Sequence, residues 1–209
     1  MNSFIQKGVF TEINPSKVPK DKNIIPMKWV LTKKFNADGK FKSYKARMVC
    51  QGFRQKPGTD FDPTDISSSA ARLETLRVFI AIAAFLNLEI RQADVSTAFL
   101  NADIKEDIIV RPAEGLELLT GVRSGMLWKL KKTVYGLKQS NKQWVELVRK
   151  FMSSQGFQCN KYDKNFYMKT VQGRYVFCLV YVDDILIAVK KKAYIDWLLK
   201  AMNKDWIKT

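Results

Sequence analysis

The sequence predicts a mixed chain of the α/β or α+β class, a sheet covered by helices. Three observations carry the prediction. Stretches with helical spacing alternate with short β-prone runs along the chain. Hydrophobic residues make up 46% of the 209 residues, which supports a real core and excludes a disordered tail. No internal repeat or low-complexity tract interrupts the alternation.

Taken in order, residues 1–26 are polar and punctuated by Pro15, Pro19 and Pro26, and read as a partly ordered lead-in. Met27 to Phe35 and Lys40 to Cys50 are β-prone arms around Asn36-Ala37-Asp38-Gly39, so a hairpin is expected, with Lys and Arg on both arms. Residues 51–63 hold Gly52, Pro57, Gly58 and Pro63 and form a loop. Arg72 to Leu88 reads as a mostly buried helix, Glu89 to Val95 as a strand entering the core, and Ser96 to Ala102 as a short helix. Ile108 to Val110 is a further strand, 113–125 a loop, and Met126 to Val134 a basic strand ending at Tyr135-Gly136. Ser140 and Gln143 have capping-box spacing, and Trp144, Leu147, Val148, Phe151 and Met152 share one helical face that ends at Gly156. Asn165 to Thr170 and Arg174 to Tyr181 pair around Gln172-Gly173, Ile185 to Val189 follows as a strand, and a last helix starts at Ala193.

Charge narrows the function. Lys and Arg number 36 against 20 Asp and Glu, a net of +16, and there is no histidine. Histidine-based triads, proton shuttles and metal sites are therefore excluded. Cys50, Cys159 and Cys178 are scattered and odd in number, which fits neither a zinc cage nor a disulfide framework and points to a reducing compartment. No secretory signal is recognisable, and the longest apolar stretch, Val78 to Leu86, is too short to span a bilayer. Residues 1–65 carry 13 basic and 6 acidic side chains, 66–120 carry 5 and 8, and 121–209 carry 18 and 6. Two basic segments thus flank a mildly acidic, apolar middle. A solubilising lysine-rich surface would account for this, but an isoelectric point near 9.8 tilts the balance toward a nucleic-acid partner.

The acids in apolar surroundings carry the chemistry. Asp183 and Asp184 interrupt the β-prone run Tyr175 to Val189. A plain hairpin turn is the alternative, but the flanks are too apolar for a surface loop, and no glycine is present for a primed turn. Adjacent carboxylates at the end of buried strands repel, and cations relieve that repulsion. Hard oxygen donors without His or Cys point to Mg²⁺. Asp94 is a second such acid. A helix cap would explain it alone; on a neighbouring strand it completes a three-carboxylate cluster able to hold two Mg²⁺ about 3.5–4 Å apart for in-line phosphoryl displacement.

These residues amount to a resemblance. Tyr181-Val182-Asp183-Asp184 resembles the acidic hairpin of reverse transcriptases. The blocks Tyr44 to Phe53, Ala93 to Asn101 and Val134 to Ser140 are similar to signatures of copia-type LTR-retrotransposon polymerases, in the family's order. The resemblance implies an α+β right-hand polymerase, fingers and palm only, the palm an antiparallel sheet with helices packed on one face. It divides the chain into a lead-in (1–26), a fingers-like region with the basic hairpin (27–88), a first palm part with Asp94 (89–112), a return with the Tyr135-Gly136 turn (113–140), and the rest of the palm (141–209). Thumb, connection and ribonuclease H segments are expected to be absent.

Residue by residue, it implies that Asp94, Asp183 and Asp184 are the catalytic acids. With the Val95 carbonyl they would bind two Mg²⁺, for which Mn²⁺ can substitute. Lys45 and Arg47 would contact the triphosphate, Phe99 would exclude a 2′-hydroxyl, and Tyr135 and Gly136 would pack on the nascent base pair. Each has a plainer alternative: a charge-protected strand edge for the two cations, ordinary core packing for the two rings. Implied partners are an RNA or DNA template with primer and deoxynucleoside triphosphates, with no membrane. A partner or downstream polyprotein segment would supply thumb and ribonuclease H. The implied location is cytoplasmic, within virus-like particles if the element is active. A catalytically inactive, nucleic-acid-binding remnant is the alternative function. The chain departs from the family pattern at Asn141 and in Thr64 to Arg72, where Ser67-Ser68-Ser69 stands in place of a proline-containing motif.

Overall fold

A computed structural model describes residues 2–66, 70–120, 123–202 and 206–208; Ser67 to Ser69 lie outside them. The chain folds as two compact units, Met1–Ile66 with Phe99–Gln143, and Ser67–Ala98 with Trp144–Thr209.

In the first unit, β2 (Ile24–Phe35) and β3 (Phe41–Cys50) form the expected hairpin, its turn closed by the Lys40 carbonyl accepting from the Asn36 N–H at 2.8 Å. The start of β2 runs parallel to β5 (Ile109–Arg111), pairing Ile25 with Val110. With β1 (Phe10–Ile13) and β6 (Leu127–Leu130) the described residues make a five-stranded sheet in the order β1-β6-β5-β2-β3. Ile25, Leu100, Ile108, Val110, Leu116 and Trp128 are its buried core. Each such side chain contributes roughly 1.5–3 kcal/mol by leaving water. The stretch that reads as a lead-in joins this core. Helix α1 (Asn2–Gln6) buries Phe4, Val9 is fully buried, and the Phe10 ring stacks on Trp128 at 3.7 Å. The 113–125 loop includes a single helical turn, α3 (Glu117–Thr120).

In the second unit, the described strands form an antiparallel sheet in the order β11-β4-β10-β9-β8-β7. They are β4 (Glu89–Val95), β7 (Gln158–Cys159), β8 (Phe166–Val171), β9 (Arg174–Tyr181), β10 (Asp184–Val189) and β11 (Ile207–Lys208). Side chains alternate between faces. Phe166, Phe177, Leu179 and Ala188 pack with Phe79 and Ala83 of helix α2 (Leu73–Phe85). The alternate residues Val176, Cys178, Val180, Ile185, Ile187 and Val189 are no more than 3% exposed. Both faces are therefore buried, with α2 packed on one of them. The cause is the apolar composition of β9 and β10 on both parities.

Helix α4 (Ser140–Ser154) buries Trp144, Val148 and Met152 as its spacing predicts, and α5 (Lys192–Ala201) buries Ile195 and Leu198. The capping box does not form. Ser140 belongs to the helix, and its hydroxyl donates to the Val134 carbonyl at 2.6 Å instead of accepting from the first turn.

Candidate active site

The β9–β10 hairpin closes with Tyr181 opposite Asp184, so Val182 and Asp183 form a two-residue turn. Asp184 is the first residue of a strand rather than half of an Asp-Asp turn. Val182 has φ +52°, a left-handed conformation that costs a β-branched residue energy and persists only where its surroundings enforce it. Two hydrogen bonds enforce it. The Trp144 indole N–H donates to the Val182 carbonyl, and the Val95 backbone N–H donates to the Asp183 carbonyl, each at 2.7 Å. The acid turn is thus tied both to a buried helix residue and to the strand that carries Asp94.

Strands β4 and β10 pair so that Asp94 stands directly opposite Asp184. Cross-strand partners have Cβ atoms about 4.5–5.5 Å apart on one face. Asp94 is exposed, Asp183 and Asp184 are half-buried, and the Asp183 Oδ1 has no contact with solvent. Gln92 lies two residues before Asp94, hence on the same face of β4, and its Nε2 donates to the Asp184 Oδ1 at 2.8 Å. Sequence reasoning passed over Gln92, although the period of two from Asp94 was the signal that could have found it. Beside Asp184 lies a cavity of about 420 Å³, lined by Leu73, Leu76, Leu179, Tyr181 and Leu186 together with Gln92.

Two carboxylates facing each other across a ladder repel, and a cation between them relieves the repulsion. Their donors are hard oxygens, and Cys178 lies on the opposite face of β9, so the chemistry of the set fits Mg²⁺ rather than a soft metal. Among the described residues no three acidic, Cys or His side chains stand close enough together to enclose an ion. The three acids share one end of the sheet without forming a closed cage.

The remaining sequence-predicted residues lie in the first unit. Lys45 and Arg47 fall on one face of β3, opposite Thr32 and Val30 of β2; Arg47 is exposed and Lys45 half-buried. Phe99 and Tyr135 meet edge to face, with ring centroids 4.6 Å apart, and the Thr133 hydroxyl donates to the Phe99 carbonyl at 2.5 Å. Gly136, at φ +95°, has a packing reason of its own. A methyl group there would overlap the Cys50 carbonyl oxygen and stand 3.0 Å from its carbon and 3.1 Å from the Cys50 nitrogen. This close approach lets the Cys50 N–H donate to the Tyr135 carbonyl at 2.8 Å, pinning the turn to the end of β3. Gly52 is constrained from the other side, since its Cβ would overlap the Gly136 carbonyl.

Residues 12–208 match the family model described as reverse transcriptase (RNA-dependent DNA polymerase). The chain belongs to this family. It is 37% identical over 207 residues to the Retrovirus-related Pol polyprotein from transposon TNT 1-94 of Nicotiana tabacum, covering 99% of this chain and 15% of that polyprotein. It is 34% identical over 169 residues to the Pol polyprotein from transposon RE1 of Arabidopsis thaliana, covering 81% of this chain and 11% of the relative. These relatives are copia-type elements, as the four sequence blocks imply. A solved structure of the foamy viral protease-reverse transcriptase in complex with double-stranded DNA overlays 98% of this chain and 28% of its own, at 12% identity and a TM-score of 0.44. The chain spans about a seventh of the tobacco polyprotein's length. Among the described residues no helix is long and apolar enough to cross a membrane.

Proposed function

We propose that this chain acts as an RNA-directed DNA polymerase, adding a deoxynucleotide to a primer 3′-hydroxyl paired with an RNA or DNA template. The observation that carries the reading is Asp94 opposite Asp184 at the end of the β4–β10 ladder, with Asp183 beside them in a clamped, strained turn. Asp94, Asp183, Asp184 and the Val95 carbonyl are the residues that would hold Mg²⁺. When bound, the metal supplies charge neutralisation at the phosphates and a lowered pKa at a coordinated hydroxyl. The protein's own part is to hold carboxylates in place before substrate arrives. Gln92 keeps the Asp184 carboxylate oriented, and Trp144 and the Val95 amide keep the Asp183 backbone fixed.

In the first unit, Lys45 and Arg47 supply positive charge for a triphosphate, Arg as a fork and Lys as a point charge. The Phe99 ring, held edge-on by Tyr135, offers a rigid apolar surface to a deoxyribose and leaves no room for a 2′-hydroxyl. Further segments of the polyprotein, or a partner, would supply thumb and ribonuclease H.

Primer extension on an RNA template with Mg²⁺ or Mn²⁺, comparing the chain with Asp183→Asn, tests this. Templated product that disappears in the variant supports polymerase action. The second reading, a nucleic-acid-binding remnant, is favoured by one observation, that the three acids do not enclose an ion. Binding without product, unaffected by Asp183→Asn, would establish it.

A further inference from the structure

The β2–β3 ribbon has two chemically different faces, and a register shift creates the difference. Opposite residues share a face. Lys28/Val49, Val30/Arg47, Thr32/Lys45 and Lys34/Ser43 form one face, which carries Lys45 and Arg47. Leu31/Ala46, Lys33/Tyr44 and Phe35/Phe41 form the other. Phe41 and Tyr44 are three apart and would point to opposite sides of a regular strand. The shift at Lys34/Phe35 leaves one residue of β3 unpaired and brings them to the same side. Their rings then stand 4.8 Å apart, and Phe35 meets Phe41 edge-on at 6.5 Å. The row is open to solvent, with Tyr44 75%, Phe35 57% and Phe41 51% exposed and Leu31 beside them at 76%.

Three contiguous exposed rings on an otherwise charged ribbon are not explained by protection of a strand edge, for which charge alone suffices. Residues 27–50 carry seven Lys and Arg against the single acid Asp38. A second copy of the chain would bring like charge against like. A polyanion with exposed flat apolar faces matches both properties, and unpaired nucleic acid is such a polymer, since a duplex hides its base faces. Stacking on aromatic side chains beside a basic track is the general mode of single-strand binding.

We propose that Phe35, Phe41 and Tyr44 form a stacking platform for unpaired bases of a nucleic-acid strand, with the opposite face of the same ribbon supplying charge. The platform is sequence-tolerant and needs no metal. The proposal rests on the nucleic-acid reading above, and its three rings are residues that reading does not use.

Fluorescence anisotropy in EDTA tests it, using a labelled oligothymidine, an abasic strand of equal length and a blunt duplex. The unmodified chain should bind oligothymidine about tenfold or more tighter than the abasic strand. Phe41→Ala/Tyr44→Ala should abolish that preference while leaving abasic and duplex affinity, and the salt dependence, unchanged. Phe41→Leu/Tyr44→Leu keeps apolar bulk and guards against a folding defect; it should lose the preference equally. Oligothymidine binding that survives both variants overturns the proposal. Binding of abasic strand and duplex with no preference for oligothymidine also overturns it, and leaves the nucleic-acid reading standing. Failure to bind any of the three overturns both. Self-association in sedimentation that the Leu variants remove would assign the face to a second copy and overturn the platform.

Discussion

Replacing Gly136 with Ala should destabilise the first unit by about 2–4 kcal/mol. Two costs combine. The left-handed φ of +95° costs a residue with a Cβ roughly 1–2 kcal/mol. The new methyl would also collide with the Cys50 carbonyl group, which is backbone and cannot rotate away. Relief requires Cys50 and Tyr135 to separate, weakening a 2.8 Å hydrogen bond whose loss costs about 1 kcal/mol. The comparison is Gly39→Ala, where φ is +75° but no atom lies within 4 Å of the new methyl, so only the conformational cost applies. Urea and thermal unfolding of the three proteins measure both. Gly136→Ala should lower the melting temperature by about 4–16 °C, at roughly 2–4 °C per kcal/mol for a chain of this size. Gly39→Ala should show half that fall or less. Equal losses would show that the close approach to Cys50 is not what constrains Gly136.

Other consequences are open to simple measurement. Trp144→Phe removes the hydrogen bond to the Val182 carbonyl and part of a fully buried side chain; it should cost about 2–4 kcal/mol in unfolding and, on the proposed function, lower primer extension. Burial pushes the Asp163 carboxyl up, but the Thr75 hydroxyl, the Arg72 and Asn165 backbone N–H groups and the Asn165 amide outweigh it, so the net shift is downward. A depressed carboxylate stabilises the fold above its unfolded pKa, and that contribution is lost as pH falls through the folded value. The melting-temperature advantage of the native chain over Asp163→Asn should therefore be constant above about pH 5 and shrink below about pH 4, near the ordinary Asp value of about 3.9. Burial pushes the Cys50 thiol up to about 12 and also raises Cys178, while Cys159 is partly exposed. A thiol reagent at neutral pH should modify Cys159 in the native protein and the other two only after unfolding.

Much of the candidate site was legible because the strongest signals were local. An acid inside an apolar β-prone run has few structural uses, so Asp94 and Asp183-Asp184 stood out, and strand β4 begins and ends where the pattern places it. What escaped depends on pairing between distant segments. The exchange between Gln92 and Asp184 needs the β4–β10 register. The aromatic face needs a bulge whose position follows from how β2 and β3 align. Ser140 has the spacing of a cap, yet the Val134 carbonyl competes successfully for its hydroxyl. The parallel contact of Ile24 and Ile25 with β5 joins residues some 85 positions apart, beyond any local pattern, and it is what draws the early part of the chain into the core. Gly136 was noticed for a resemblance, whereas the physical constraint on it is the Cys50 backbone.

The central claim is that Asp94, Asp183 and Asp184 act together as one divalent-cation site. Electron paramagnetic resonance of Mn²⁺ titrated into the chain bound to primer and template tests it most directly. The account predicts bound Mn²⁺ that is displaced by Mg²⁺ and is lost or at least tenfold weakened in both Asp94→Asn and Asp183→Asn. Mn²⁺ binding of undiminished strength in either variant would contradict it.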